Sequence, residues 1–175
     1  METSSFEQFP WWMVVTCNAV GVAIYAIGLC LMFRLRIVWG VLYLAYCLWM
    51  EWRLLSGSCR SCYYYGKRCG FGKGRLCSWL LTRRAKEDSS KKPITWRDVA
   101  PDFLVSLIPL VVGIVLLIRD FSWPVLALVL ILVLLGSVGT GFVRGQIACR
   151  YCKQRELGCP AEQLFSKTKP TPATP

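Results

Sequence analysis

Four long apolar segments dominate the pattern of hydrophobic and polar positions along this chain. They cover residues 13–33, 37–50 (continuing as a helix to Leu55), 103–118 and 121–143. The first runs for 21 residues without a charge, about the length that a helix needs to cross a ~30 Å hydrocarbon core. None of the four shows the polar stripe of a soluble amphipathic helix. The pattern therefore predicts an all-α integral membrane protein with four transmembrane helices.

The four segments form two pairs, and a similar group of cysteines follows each pair. Pro10, where the first pair begins, lies 49 residues before Cys59, and Pro101 lies 48 residues before Cys149. This agreement indicates an internal duplication with a period near 90 residues. We therefore expect two tandem hairpin repeats, each built from two transmembrane helices and a cysteine loop.

The polar parts of the chain complete the two repeats. An amphipathic helix on the membrane surface is expected in residues 74–86, and a polar linker in residues 87–93. The second repeat is expected to carry a shorter helix, in residues 161–165. The chain then divides into a first repeat, a second repeat and a disordered tail rich in Pro and Thr: residues 1–100, 101–166 and 167–175.

Charge predicts the orientation of these helices. The formal net charge is +11, and residues 51–100 carry 12 Lys and Arg against 4 acids. The short connections within the two pairs carry only Arg34, Arg36, Arg119 and Asp120. Because Lys and Arg favour the cytoplasmic side, both termini and both cysteine loops should be cytoplasmic, in the inner (cell) membrane. The basic charge also predicts contact with the bilayer through anionic lipid head groups, and this reading is favoured over nucleic-acid binding.

Ten cysteines and no histidine form an unusual set of side chains for metal chemistry. Cys17, Cys30 and Cys47 fall inside apolar segments, where cysteine acts as a small hydrophobic residue. Six others form two matched Cys-x2-Cys-x6-Cys motifs and are the predicted metal ligands: Cys59, Cys62, Cys69, Cys149, Cys152 and Cys159. On a reducing cytoplasmic face, paired thiols favour metal binding over disulfides.

The spacing of these motifs resembles that of fungal binuclear zinc-cluster domains, which repeat Cys-x2-Cys-x6-Cys. The resemblance covers roughly 22 residues and includes basic residues in both loops: Lys67, Arg68, Lys153 and Arg155. It implies that six thiolates hold two zinc ions, with two sulfurs bridging. Since such a cluster carries a net negative charge, neighbouring Arg and Lys side chains would favour the deprotonated thiols.

Several other uses of the same cysteines are compatible with the sequence. A single tetrahedral zinc needs only the two Cys-x2-Cys pairs, which leaves Cys69 and Cys159 outside the site. An iron–sulfur cluster takes four thiolates, although the spacing departs from the bacterial ferredoxin pattern. Cys77 offers a fourth ligand in the first repeat but has no counterpart in the second. Redox-active dithiols, transient metal handling and reduced cysteines without a metal complete the alternatives.

The polar residues inside the apolar segments do not outline a catalytic or transport site. Asn18 is interpreted as a contact between helices, and Glu51 as a partner of Arg53 or of a basic loop residue. We therefore expect a scaffold or accessory subunit with a cytoplasmic zinc–thiolate site and a membrane or cytoplasmic protein partner, rather than an enzyme. The alternatives are a membrane-anchored electron-transfer protein with an iron–sulfur or dithiol centre, and a small heavy-metal-handling protein.

Overall fold

The computed structural model describes residues 5–83 and 96–156, without the side chains of residues 96–98 and 156. Within these ranges the chain consists of helices and short connections and forms no strand. In chain order the helices are α1 (Trp11–Leu35), α2 (Ile37–Gly57), α3 (Lys73–Leu80), α4 (Trp96–Arg119), α5 (Trp123–Ala148) and α6 (Lys153–Glu156). The predicted all-α fold class is therefore confirmed.

Three of the helices are long and apolar enough to cross a membrane: Trp11–Leu35, Val99–Arg119 and Trp123–Ala148. Helix α2 has 21 residues but does not belong to this set. Its aliphatic residues are diluted by Trp and Tyr, and Glu51 and Arg53 lie near its C-terminal end. Large apolar side chains are nevertheless exposed on all four long helices, such as Ile37 on α2 at 71%. Exposed apolar surface of this extent is typical of contact with lipid.

Helix α1 lies at the centre of the bundle. It packs against α2, α4 and α5, whereas α2 and α4 touch only slightly. Arg36 alone separates α1 from α2, and the two helices form a tight antiparallel hairpin. At Gly40 the ring of Phe33 occupies the space that any β-carbon would need, so only glycine permits this approach. Residues 120–122 connect α4 and α5 into a second hairpin.

Two tyrosines of α2 bind to backbone carbonyls of α4. Pro109 has no N–H, so the Val105 carbonyl four residues earlier loses its usual helical donor. The Tyr43 hydroxyl donates to this carbonyl at 2.7 Å in a buried contact. Tyr46 donates in the same way to the Pro101 carbonyl at 2.8 Å. These hydrogen bonds, together with a buried apolar cluster that includes Cys47 and Val105, hold α2 against α4, although the two backbones approach each other at few points.

Helix α5 departs from α-helical geometry in its second half. Leu135–Gly139 and Val143–Ala148 are π-helical, and a single α-helical turn, Thr140–Phe142, lies between them. The stretch is rich in Gly, with Ser and Thr, all of which are weaker helix formers than the Leu-rich first half. The hydroxyl of Thr140 donates to the Leu135 carbonyl at 3.1 Å, five residues back. Because π-helical turns are rare and frequent at functional sites, this segment marks a place to look for one.

Three helix boundaries differ by five residues or more from the predicted ones, and one of them is the end of α5, at Ala148 rather than at residue 143. Helix α4 begins at Trp96 rather than at residue 103, since polar residues end a hydrophobic run without ending a helix. Helix α3 ends at Leu80 rather than at residue 86, because Leu81 has an extended backbone with φ of −137°. The remaining predictions for polar segments lie outside the described residues: 84–86, 87–93, 161–165 and 167–175.

Candidate functional site: the cysteine cap

Both cysteine loops and the start of the chain meet at one end of the helix bundle. We call this assembly the cysteine cap and define it as residues 5–9, 58–74 and 149–156. Its centre is a buried apolar cluster that includes Phe9, Tyr64 and Ile147, and Tyr64 is only 1% exposed. The cluster continues into the first turns of α1 and the last turns of α5. The cap is therefore packed onto the bundle and is not a loose appendage.

Glycines allow the first cysteine loop to fold tightly against α3. The N–H of Lys67 donates to the Tyr64 carbonyl at 2.9 Å, which closes a turn. Gly66 is the second of the two central residues of this turn, and its φ of 78° is a left-handed conformation that favours glycine. Its N–H donates to the Gly74 carbonyl at 3.0 Å. A β-carbon at Gly74 would overlap the carbonyl oxygens of Tyr64 and Lys67. The loop can therefore rest directly on the start of α3 only because the second residue of that helix is glycine.

The two loops are joined by hydrogen bonds between the repeats. The Tyr63 N–H donates to Oε1 of Gln154 at 2.7 Å. The Tyr64 hydroxyl accepts from the Lys153 N–H at 3.0 Å and donates to the Phe6 carbonyl at 2.6 Å. Tyr64 thus connects three separate parts of the chain through one oxygen atom.

The N-terminal segment lies between the two loops, an arrangement that the sequence analysis missed. The Phe6 N–H donates to the Tyr151 carbonyl at 3.1 Å, and the Phe9 N–H donates to the Arg68 carbonyl at 3.0 Å. The Phe6 ring lies 5.1 Å from the ring of Tyr151, and the Phe9 ring lies 5.5 Å from that of Tyr64, measured between centroids. The available signal was two phenylalanines in an otherwise polar stretch, and such residues need a partner surface.

The predicted metal ligands lie in different environments within the cap. Cys62, Cys69 and Cys152 pack against its apolar core. Cys59 is partly buried and Cys149 is exposed. The sixth predicted ligand, Cys159, lies outside the described residues.

The arrangement of these thiols has to be compared with what a metal ion requires. A zinc site takes three or four ligands at about 2.0–2.3 Å from the ion. Among residues 5–83 and 96–156, no group of three or more Cys, Asp or Glu side chains is placed to hold a metal. The structure brings the loops together, but the described thiols do not form a ready ligand set.

Burial controls the acidity of the partly enclosed thiol of Cys59. Burial is the largest cause and the neighbouring Cys69, Cys77 and Cys62 add smaller increases, so the pKa of Cys59 rises to about 12 although Lys73 acts in the opposite direction. Without a metal, Cys59 is therefore a neutral thiol at physiological pH. Any metal that binds it must displace a proton.

Cys77 has a structural environment. It is completely buried on α3, and its Sγ donates to the Leu55 carbonyl at 3.5 Å. Burial raises the pKa of this thiol too. Cys77 thereby fastens α3 to the end of α2, a role that does not require a metal.

The outer surface of the cap combines basic and aromatic side chains. Lys67 Nζ lies 4.6 Å from the centroid of the Tyr63 ring, and Lys153 Nζ lies 5.4 Å from the same ring. Lys153 also forms an ion pair with Glu7 at 3.5 Å. Arg150 lies over the ring of Tyr151 at 5.8 Å. This surface has the charge and the chemistry that suit contact with anionic groups.

Comparison with protein-family models, with curated proteins and with solved structures finds no significant match to this chain. The described residues define a class of protein: an all-helical bundle in which three helices are long and apolar enough to span a membrane, with a cysteine-rich cap at one end.

Proposed function

We propose that this protein is a multi-pass membrane scaffold or accessory subunit, and that its two cysteine loops bind zinc and so join two helical hairpins. The direct contact between the loops carries the proposal, because the hydrogen bond from Tyr63 to Gln154 spans 91 residues of sequence. A structural metal at this junction would strengthen a connection that the backbone already makes. The described residues offer no competing feature of a catalytic site.

Packing within the bundle supports four membrane-crossing helices in two tandem repeats. Helix α2 runs back along α1 after a single connecting residue, so it returns to the side where α1 began. Exchanging α1 with α4 and α2 with α5 preserves the two hairpins and the central α1–α4 pair, although α1 packs much more extensively against α5 than α4 does against α2. Such a pattern fits an approximate two-fold axis along the membrane normal. Both loops and both termini then lie on one side, which the excess of Lys and Arg makes cytoplasmic.

The proposed ligand set is the one that the repeated motif defines: Cys59, Cys62, Cys69, Cys149, Cys152 and Cys159. The described members of this set must draw closer before three of them can share an ion. Basic side chains on the same surface, including Lys67 and Lys153, would stabilise the thiolates. Bound zinc would supply a redox-inert cross-link between the repeats.

Metal analysis tests the zinc part of the proposal. The protein purified anaerobically should be colourless and contain one or two zinc ions, and Cys62→Ser or Cys152→Ser should lower metal content and thermal stability together. Cys30→Ala and Cys47→Ala are matched controls, because both thiols lie within the helices away from the cap. A brown protein with acid-labile sulfide would favour the electron-transfer alternative. Equal metal loss in both classes of variant would exclude the cap as the site.

The contact between the loops can be tested without a metal. Gln154→Ala removes the acceptor of the Tyr63 N–H and should lower the free energy of unfolding by about 1 kcal/mol. Gln146→Ala is the control, because Gln146 accepts only an exposed hydrogen bond from Arg150. If metal-free Gln154→Ala and Gln146→Ala proteins unfold alike, the loops do not hold the repeats together.

Reporter fusions test the orientation. A reporter at the C-terminus and one placed between Arg34 and Arg36 should lie on opposite sides of the membrane, with the C-terminus cytoplasmic. An external C-terminus would contradict the topology and would make disulfides the expected state of the loop cysteines.

A further inference from the structure

A large cavity lies between the helices, directly beneath the cysteine cap. Its volume is about 780 Å³, within the ~300–1,000 Å³ range of typical ligand sites. Its walls come from all four long helices and from the segment that leads into α3. The slight contact between α2 and α4 leaves this space unfilled.

One end of the cavity carries Glu51 with its charge already compensated. Oε1 of Glu51 accepts a hydrogen bond from the Tyr25 hydroxyl at 2.9 Å. Oε2 forms an ion pair with Lys73 Nζ at 2.6 Å. These two contacts of Glu51 link α1, α2 and α3. Its ionic partner, Lys73, belongs to the basic segment between the two hairpins, one of the two sources of a partner expected from the sequence.

Asp102 of α4 supplies a second carboxylate to the same cavity. The Asp102 carboxylate interacts electrostatically with three positive side chains, Arg144, Arg53 and Lys73. None of the described Lys or Arg nitrogens, however, lies within 4.0 Å of the Asp102 carboxylate oxygens. Glu51 lies six residues before the end of α2, and Asp102 lies six residues after the start of α4. At 1.5 Å per residue, both lie about 9 Å inside the cap end of the bundle. Two carboxylates at matched depth face an interior space, which is where ionisable groups in membranes mark function.

The π-helical segment of α5 forms the wall opposite these acids. Gly136, Thr140 and Arg144 line the cavity, and they lie in or beside the two π-helical stretches. The irregular helix thus coincides with the cavity wall. Apart from Asn18, Ser106 and Thr140, the rest of the lining is mainly apolar, with residues such as Val22 and Val105.

We propose that this cavity binds a zwitterionic phospholipid of the surrounding bilayer that carries a primary ammonium group. The apolar walls suit an acyl chain, and the charged end offers two carboxylates and two cations, Lys73 and Arg144. Such a lining complements a head group with one charge of each sign, the ammonium at Asp102 and the phosphate at Arg144. A purely anionic head group would instead face Asp102 without compensation.

The head group should be a primary ammonium rather than a quaternary one. Quaternary ammonium groups are recognised by cages of aromatic faces, whereas a carboxylate accepts hydrogen bonds that only N–H donors can provide. The described aromatic residues of the lining are Tyr25, Phe71 and Phe103, which come from three different segments and make no ring contact with one another, so they are not assembled as such a cage. Asp102 is therefore the discriminating group.

Lipid retention by the detergent-purified full chain, measured by native mass spectrometry, tests the proposal. With equal acyl chains, wild type should retain phosphatidylethanolamine on the order of 10-fold better than phosphatidylcholine or phosphatidylglycerol. The reason is that only the primary ammonium of phosphatidylethanolamine can donate a charge-assisted hydrogen bond to Asp102. Asp102→Asn should remove the preference over phosphatidylcholine, and Asp102→Glu should restore part of it. Arg144→Gln, at an exposed position, should weaken retention of both zwitterionic lipids without changing their ratio.

Two glycine variants test the location. A β-carbon at Gly21 or at Gly141 meets no atom within 4 Å, but only Gly21 lines the cavity. Gly21→Leu should fill the space and reduce retention of phosphatidylethanolamine, while Gly141→Leu should behave as wild type. Equal retention of the three lipids by wild type, or unchanged retention in a folded Gly21→Leu protein, would overturn the proposal. Both results can be obtained even if Asp102→Asn does not fold.

Discussion

Removing the Tyr43 hydroxyl should destabilise the bundle by an amount that depends on Pro109. Tyr43 is 2% exposed, and its hydroxyl lies 2.7 Å from the Val105 carbonyl, the group that Pro109 leaves without a helical donor. A buried group without a partner costs about 1–3 kcal/mol, while hydrogen bonds between membrane helices average only about 0.6 and reach about 1.7 kcal/mol. Because this carbonyl has no helical alternative, we expect Tyr43→Phe to cost about 1.5 kcal/mol, roughly tenfold in the folded-to-unfolded ratio.

A double-mutant cycle isolates the cause. Pro109→Ala introduces an N–H that can donate to the Val105 carbonyl, so Tyr43→Phe in that background should cost about 0.5 kcal/mol, a coupling of about 1 kcal/mol. The assay is the free energy of unfolding in mixed micelles, obtained by titration with a denaturing detergent. Tyr46→Phe is the control, because the Pro101 carbonyl retains the Val105 N–H as its helical donor. An equal cost of Tyr43→Phe in both backgrounds would refute the reasoning.

Three further changes have outcomes that the structure determines. Gly28→Ala should lower the free energy of unfolding by about 1–3 kcal/mol, because the added β-carbon would overlap the ring of Tyr43. Gly21→Ala, whose β-carbon would lie in open space, should be nearly neutral in the same detergent titration. Gly74→Ala should lower the free energy of unfolding by about 2–3 kcal/mol and expose the first loop to limited proteolysis, since the added β-carbon would meet backbone oxygens that cannot move aside. Gly57→Ala is the control: its β-carbon would meet no atom within 4 Å, so the digestion pattern should stay unchanged. Metal-free Cys59 should be alkylated on the order of 10³-fold more slowly at pH 8 in the folded protein than after unfolding, because folding raises the pKa of its thiol from 9.0 to about 12. The same shift in pKa makes the neutral thiol stabilise the fold below pH 9. That contribution to the free energy of unfolding is lost as the pH rises toward 12. Equal alkylation rates before and after unfolding, followed by mass spectrometry, would contradict the burial of that sulfur.

The helical part of the fold could be predicted because each apolar segment carries its own signal. Hydrophobic length identifies a helix without knowledge of its neighbours, and all four expected segments are helical. The sequence signal for the ends of helices is weaker, as α4 shows. Arg97 and Asp98 interrupt the apolar pattern, yet both residue types are compatible with a helix and both lie inside α4. Helix α2 is not among the candidate membrane spans, because its Trp, Tyr and ionic residues lower its hydropathy.

The cavity could not be predicted because its polar residues come from separate helices. Asn18, Glu51 and Asp102 each look like isolated exceptions in apolar or interfacial sequence. Asn18 forms a structural contact with a loop rather than with the expected second helix, since its amide donates to the Phe71 carbonyl at 3.1 Å. The convergence of Glu51 and Asp102 on one space depends on helix rotation and packing, which the pattern of a single segment does not contain.

The position of the first residues between the two cysteine loops imposes an order on biosynthesis. The Phe6 carbonyl accepts from Tyr64, and the Phe6 N–H needs Tyr151, so the cap joins the beginning of the chain to a segment near residue 152. Translation at about 5–20 residues per second leaves roughly 4–18 s between the synthesis of Tyr64 and that of Cys152. During that interval the first hairpin has its half of the cap without a partner, and its loop thiols are not yet covered. The nascent chain thus has a defined window in which a chaperone, a metal donor or a partner can reach these cysteines before the second loop closes over them.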